Sequence, residues 1–356
     1  MKRALTITTL GILISSLFLT SCNKDDFGEQ IISKPGYVPG PGTFILHEGN
    51  YGTGNASLSF RNNISGGLFH EVFRHANGRP LGDVAVSMSI INDTGIVVVN
   101  NSGTLEFVRL SNMKSLGTVT GLPSPRHCVH HGPNTYVSDL MTGEIHIINR
   151  RNIQKTGSIE TGYSTESMVI KDSLLFASSW SSYYINKPNN VVLVINLNTH
   201  MVVDTITVTK EPNSMVLDKE GKIWVLSSGG FMFEEAPTLA CIDPGARAVT
   251  RTLVFNQGMD YPTSLRINGE GDRLVFLNMG VWALGITDNE LPASSLFAGG
   301  AYLYGLGLDP SSNRIYTGDA KDFQQAGTVF ILNMQGSVLD TLKAGIAPSI
   351  FCFRTP

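Results

Sequence analysis

A single phrase of sequence recurs along the chain and limits what it can fold into. Residues 212–227, "PNSMVLDKEGKIWVLS", give a Pro, a short apolar strand, a charged turn with Gly and a second strand. Residues 262–278, "PTSLRINGEGDRLVFLN", repeat it closely, and 305–319, "GLGLDPSSNRIYTGD", repeat it without the Pro. Residues 86–110 and 125–150 carry the same opening and add a third strand. A fourth follows in segments such as "SLGTVTG" (115–121) and "VVDTITV" (202–208). β-Branched and aromatic residues alternate through these runs, the period-two pattern of a strand with two unlike faces. Units begin near Val86, Arg126, Ser167, Asn213, Thr263 and Gly305, a period of about 40 to 50 residues, which is the range of propeller blades.

The two ends of the repeat region complement each other. "PSIFCF" (348–353) matches the starts "PNSMVL" and "PTSLRI", and no second strand follows it. The region before Val86 offers only three strands, near 44–47, 58–61 and 68–74. The C-terminal strand is therefore expected to supply the inner strand of the first blade, which removes the open edges a β-protein must otherwise protect. The expected fold is all-β: a seven-bladed β-propeller of four-stranded antiparallel blades, the first closed by the C-terminal strand. An irregular first blade leaves six or eight blades as alternatives. Gly and Pro are frequent and charged residues make up only 15%, which suits short strands joined by tight turns. The net charge of −3 offers no basic stripe, so nucleic acid is not an expected partner. Cys128, Cys241 and Cys352 are far apart and no CxxC occurs, which argues against a disulfide framework or a zinc site.

The first residues read as an address. Lys2 and Arg3 precede an uncharged, mostly apolar run (4–19), shorter than the roughly 20 residues of a membrane-spanning helix. This is the pattern of a signal peptide over residues 1–21. The run ends in "LTSC", which resembles the lipobox of bacterial lipoproteins. That resemblance implies that Cys22 is acylated and becomes the mature N-terminus. In the following "NKDD", Lys24, Asp25 and Asp26 resemble the surface-export signal of Bacteroidetes lipoproteins, with a plain solvated tether as the alternative. Residues 22–42 are then a lipidated Pro/Gly-rich tether and 43–356 the propeller domain. The implied location is the outer membrane, exposed on the cell surface and held by the lipid anchor only.

"YVSDLMTGEIHIIN" and "VVVNNSGTLEFVRL" resemble the YVTN repeat of YncE-type propellers, in which a strand ending in Asn or Asp is followed by a Gly turn and a hydrophobic strand. The likeness covers most of residues 85–356 and bears on fold far more than on activity. "LHEGNYGTGNASLSF" (46–60) resembles the opening of a Bacteroides surface-lipoprotein group to which BtuG-type corrinoid-binding lipoproteins belong. The narrower likeness implies a non-catalytic receptor that captures a corrinoid such as cobalamin for an outer-membrane TonB-dependent transporter. Lactonase propellers are similar as well, so a surface hydrolase is one alternative, and a glycan- or protein-binding propeller is another.

Topology sorts the loops into two faces. Strands alternate in direction from the innermost outward, so the first and third turns of each blade share one face. That face carries compact polar turns such as "NDTG" (92–95), "DKEGK" (218–222), "NGEGDR" (268–273) and "DPSSNR" (309–314), none with an aromatic residue. The other face receives long loops with Tyr51, Trp180, Tyr183, Tyr184, Phe231, Phe233, Trp282 and Phe323, and blade-to-blade connections with Tyr163, Tyr261, Tyr302 and Tyr304. Tyr and Trp give large amphipathic contact area at low entropic cost, and long loops on a rigid scaffold are where binding residues sit. These aromatic residues, Tyr304 apart, are therefore the expected ligand-binding set. Core packing is the alternative for Tyr302, Tyr304 and Trp282, and a cap over the central channel for the loop rings.

Catalytic chemistry is sparsely encoded. "PRHCVHHG" gathers His127, Cys128, His130 and His131, but strand alternation puts His130 on the side opposite His127 and His131, so the three cannot share one ion. Asp83, Glu234, Glu235 and Asp260 fall on the aromatic face and offer an acid–base pair, although loop carboxylates are usually just solvated. HExxH, GxSxG, P-loop and dinucleotide fingerprints do not occur. No catalytic residue, metal or cofactor is expected.

Overall fold

The computed structural model describes residues 37–355. The signal peptide (1–21), Cys22 and the export residues Lys24, Asp25 and Asp26 lie outside the described residues. Within them the chain forms seven antiparallel sheets that follow one another along the sequence. The inner strands of blades 2 to 7 are Ala85–Ile91, Pro125–His131, Thr165–Lys171, Pro212–Leu217, Thr263–Ile267 and Leu303–Leu308. Each starts within two residues of the position expected from the repeat. The C-terminal strand Pro348–Arg354 is the inner strand of blade 1 and pairs antiparallel with Gly42–His47, in register from Gly42 opposite Arg354 to Leu46 opposite Ile350, then with a bulge that sets His47 opposite Pro348. It also neighbours the inner strands of blades 2 and 7, which completes the ring.

Alternation along each strand sends side chains toward both neighbouring blades, so the hydrophobic core is divided into seven clusters, one per blade interface. Blades 7 and 1, for example, bury Tyr316, Val329 and Ile331 against Ile45 and Phe351. Serines tie adjacent inner strands together beneath the channel mouth. Ser87 donates to Arg126 O (2.7 Å), while Ser167 and Ser214 accept from the N–H groups of Met215 (3.0 Å) and Leu265 (2.9 Å).

Two blades depart from the expected four long strands. In blade 1 the segment 68–74 is strand only at Leu68–Phe69 and then becomes a helix, Val72–Asn77. Burying both Val72 and Phe73, adjacent in sequence, against Phe60 and Leu110 favours a helix over a strand, whose neighbours must point apart. Gly78, at φ 67°, closes the helix by donating to Arg74 O (2.8 Å). Blade 6 has three strands. After Val281–Gly285 the chain runs through "TDNELPASS", whose Pro lacks a ladder donor, and returns only as a bridge in which Val281 N–H donates to Phe297 O (2.7 Å). The Pro/Gly-rich segment is docked at its end: the Tyr37 hydroxyl donates to Leu110 O, and its ring packs edge-on against Phe60 (5.0 Å between centroids).

The seam between blades 7 and 1 is closely packed because blade 7 offers glycine where the closing strand passes. A Cβ on Gly318 would sit 2.0 Å from Pro348 O, and one on Gly305 2.4 Å from the same oxygen. We expect Gly318→Ala to lower stability by about 1 to 3 kcal/mol through overpacking, measured by urea denaturation. Deleting residues 348–356 is expected to abolish the single cooperative unfolding transition. A truncated chain melting at the parent temperature would show that the ring closes by another route.

Candidate functional site

The face that carries the long loops surrounds one mouth of the central channel, and charged side chains line it. Arg126 and Glu166 occupy equivalent places near the start of the inner strands of blades 3 and 4. They form a two-pronged ion pair, Nε to Oε2 at 2.7 Å and Nη2 to Oε1 at 2.9 Å. His127 Nε2 lies 3.2 Å from the same Glu166 Oε1. Burial opposes ionisation of Glu166, but Arg126 and His127 outweigh it and hold the carboxyl at about 2. Burial likewise works against the Arg126 charge, and Glu166 more than offsets it. From blade 1, Glu48 accepts a hydrogen bond from the Tyr304 hydroxyl of blade 7 (3.1 Å). Burial pushes the Glu48 carboxyl above its ordinary range, opposed by Tyr304 and by the Arg126 charge. Burial and then the Glu48 charge push the Tyr304 hydroxyl up in turn. The mouth thus holds two carboxylates shifted in opposite directions, Glu166 well below its ordinary range and Glu48 above it.

Aromatic rings rise from this floor. The Arg126 guanidinium lies over the Trp180 ring at 5.7 Å, so the loop that begins after Leu174–Ser179 is anchored to the ion pair by its first residue. Tyr302, Tyr304 and Phe323 form one group, with Phe323 edge-on to Tyr304 (4.9 Å) and to Tyr302 (5.3 Å). Phe233 packs edge-on to Tyr261 (6.1 Å), whose hydroxyl lies 3.5 Å from Glu211. Tyr183 meets Tyr184 edge-on at 4.9 Å. Several rings are open to solvent: Tyr51 is 79% exposed, Tyr183 85% and Phe231 75%. Tyr163 is half-buried against the core between blades 3 and 4, with Lys187 over its ring at 5.9 Å. Trp282 is packed against the core between blades 5 and 6 and donates to Asn278 O (2.8 Å).

The four loop carboxylates each accept hydrogen bonds within their own loop or from an adjoining one. Asp83 accepts from Gly52 N–H (2.9 Å) and Asn101 (2.6 Å), and Asp260 from Asn256 N–H (2.8 Å) and Asn278 (2.8 Å). Glu234 accepts from Met232 N–H (3.0 Å) and Glu235 from Lys210 N–H (3.2 Å). The histidines separate. His127 joins Glu166, whereas His130 lies between Ser89 (2.9 Å) and Thr135 (2.9 Å), where burial lowers it to about 4. Sequence reasoning missed Arg126, Glu166, Glu48 and Glu211. The signal was present in the repeat itself: the position held by Arg126 and Glu166 is Asn213 and Thr263 in the next two blades.

A family model described as "Domain of unknown function (DUF5074)" matches residues 41–258, more than half of the chain. No curated protein matches the chain by sequence. Solved structures match across most of it. A quinonprotein alcohol dehydrogenase-like protein from Bacteroides thetaiotaomicron aligns with a TM-score of 0.67 at 13% identity, over 87% of this chain and 77% of that one. The periplasmic gluconolactonase PpgL of Pseudomonas aeruginosa aligns with 0.66 at 14%, over 89% and 99%. A putative 6-phosphogluconolactonase from Bacteroides uniformis aligns with 0.63 at 11%, over 88% and 99%. At these identities the likeness is one of fold.

The ion pair makes a stability prediction with a definite sign. Glu166 has an ordinary value of 4.5 and is held at about 2 in the folded chain. Its stabilising contribution is complete above 4.5 and is lost as pH falls toward 2. Glu166→Gln leaves Arg126 buried without its counter-charge and is expected to cost about 3 to 5 kcal/mol at pH 7. It should also flatten the acid limb of stability against pH, followed by urea denaturation. A variant as stable as the parent at pH 7 would show that water already solvates the pair.

Proposed function

The chain belongs to the DUF5074 family, whose description names no activity, so function has to be argued from the site, and we propose that this propeller captures a ligand without transforming it. The observation that carries the reading is the set of solvent-exposed rings around a charged channel mouth, on one face only. Exposed aromatic residues that no core requires suit a ligand with a broad apolar surface, and the buried carboxylates and Tyr304 hydroxyl suit polar groups that enter the mouth. A corrinoid, with a large ring and peripheral amides, is the specific ligand we infer. In this reading Cys22 is lipidated, Lys24, Asp25 and Asp26 direct the protein to the cell surface, and an outer-membrane TonB-dependent transporter receives the ligand. Replacing Cys22 with Ala should then abolish incorporation of labelled fatty acid, and undiminished label would refute the anchor.

The binding test uses calorimetry with cyanocobalamin, followed by a glycan panel. Trp180→Ala with Tyr184→Ala is expected to weaken binding at least about thirtyfold, since one ring at a hot spot contributes about 2 kcal/mol. Melting should change little, because the flanking strands Leu174–Ser179 and Val191–Asn196 pair without help from the loop. Binding of glycans alone would replace the corrinoid by a sugar. Absence of binding to either, or unchanged affinity in the double variant, would remove the proposal.

A second reading rests on a different observation, the opposed Glu48 and Glu166. A carboxyl raised by burial and a second one lowered by its ion pair, each within the other's electrostatic reach, is an acid–base arrangement, and lactone hydrolysis is the reaction for which two of the fold neighbours are named. Titration of acid released from gluconolactone would test it. Turnover above the spontaneous rate that is lost in Glu48→Gln would favour this reading over pure capture.

A further inference from the structure

On the opposite face, between blades 2 and 3, lies a cleft of about 670 Å³. Its walls come from the first and third turns of those two blades and the strand ends beside them, such as Phe107 and Leu116, so it shares no residue with the channel mouth. Ile91, Phe107, Leu116 and Ile153 make it apolar, and Arg150 and Arg151 border it. No acidic residue lines it. The neighbouring carboxylate, Asp93, is already paired with Arg354 at 3.1 Å. Arg150 donates to the carbonyls of Gly132 and Asn134, which leaves its charge uncompensated by any carboxylate among the described residues. Arg151 is exposed and likewise has no carboxylate partner among them.

The apolar wall is held at a conformational cost. Ile153 has φ 52°, a left-handed conformation that is a genuine outlier for a β-branched side chain. The matching turn residues of the next two blades, His200 (φ 55°) and Arg247 (φ 53°), share the backbone but are exposed and not β-branched. Blade 2 accommodates the isoleucine with Gly117, where a Cβ would come 3.2 Å from Ile153 Cδ1. Leu116 beside it remains 38% exposed. Ile91 and Ile153 reach the core between blades 2 and 3 with one side, and Leu116 carries that apolar surface out to solvent, where a ligand with an apolar body could cover it.

We propose that this cleft binds a small amphipathic anion, its apolar body along Leu116 and Ile153 and its acidic head at Arg150 and Arg151. The volume falls in the range of small-molecule sites, and two guanidinium groups without acids select negative charge. Dodecanoate is the probe, titrated by calorimetry into the whole protein, with dodecyltrimethylammonium as the cation of equal chain length. Dodecanoate is expected to saturate one site and the cation to bind far more weakly. Arg151→Glu and Leu116→Asp, both exposed positions where the fold should persist, are each expected to weaken dodecanoate at least about tenfold. Trp180→Ala with Tyr184→Ala should leave it unchanged, which separates this cleft from the channel mouth. Equal affinity for the cation, no effect of Arg151→Glu and Leu116→Asp, loss of binding in the mouth variant, or no binding of dodecanoate would each overturn the proposal.

Discussion

The ladder between Gly42–His47 and Pro348–Arg354 is the contact on which the other parts depend, because it joins the two ends of the ring strand to strand, with the Arg61–Asp340 ion pair (2.6 Å) beside it. A propeller blade contacts only its neighbours, so without this ladder blade 1 loses its inner strand and two interfaces lose a wall. The same seam sets the site. Directly after the ladder, Glu48 N–H donates to Ala347 O (3.1 Å) and Gly49 N–H to Ile346 O (3.2 Å). Glu48 therefore reaches the channel mouth, and its Tyr304 partner, only once the C-terminus has returned. Closure thus places Glu48, while the Arg126–Glu166 pair is built by blades 3 and 4.

The scaffold divides its loops between two tasks. On the short-turn face, Asp218 accepts from the N–H groups of Glu220 (2.9 Å) and Lys222 (2.9 Å) and from the Trp224 indole (2.8 Å), and Asn268 and Asp309 hold the corresponding turns of blades 6 and 7. Side chains spent on their own backbone leave little for a ligand. The long-loop face uses Asp83, Asp260 and Glu235 in the same manner, but there the caps support loops that extend rings into solvent. At the cleft the same local caps hold the turn, Asn149 accepting from Arg151 N–H (3.0 Å) and Arg150 donating to the carbonyls of Gly132 and Asn134, but no carboxylate lines it.

Much of this architecture was legible because propeller blades are a repeated solution to one packing problem. An alternating strand and a polar turn, often with a Pro at the start, recur where an inner strand must face two neighbours, and the orphan strand "PSIFCF" indicates its own missing partner. The departures were not legible because they answer to single contacts. The burial of Phe73 turned an expected strand into a helix, and Pro292 helped reduce the outer strand of blade 6 to a bridge at Phe297. In the site, the concentration of rings on one face followed from topology alone. Arg126 and Glu166 stand out from the repeat, where the next two blades have Asn213 and Thr263, but their pairing shows only when the ring brings blades 3 and 4 side by side.

The repeat also supplies a test of what those charges are for. Seven equivalent inner strands face the same channel, and a structural requirement of the fold should appear in all of them. The position filled by Arg126 and Glu166 in blades 3 and 4 is neutral in blades 5 and 6, as Asn213 and Thr263, and those blades close their interfaces equally well. Burying an ion pair carries a desolvation cost that apolar packing of similar volume avoids. Adding Glu48, whose burial disfavours its charge, within reach of the same field raises that cost again. A near-symmetric scaffold that concentrates such groups in three of its blades, and places Trp180 over one of them, has lost symmetry where a ligand without sevenfold symmetry would have to be recognised.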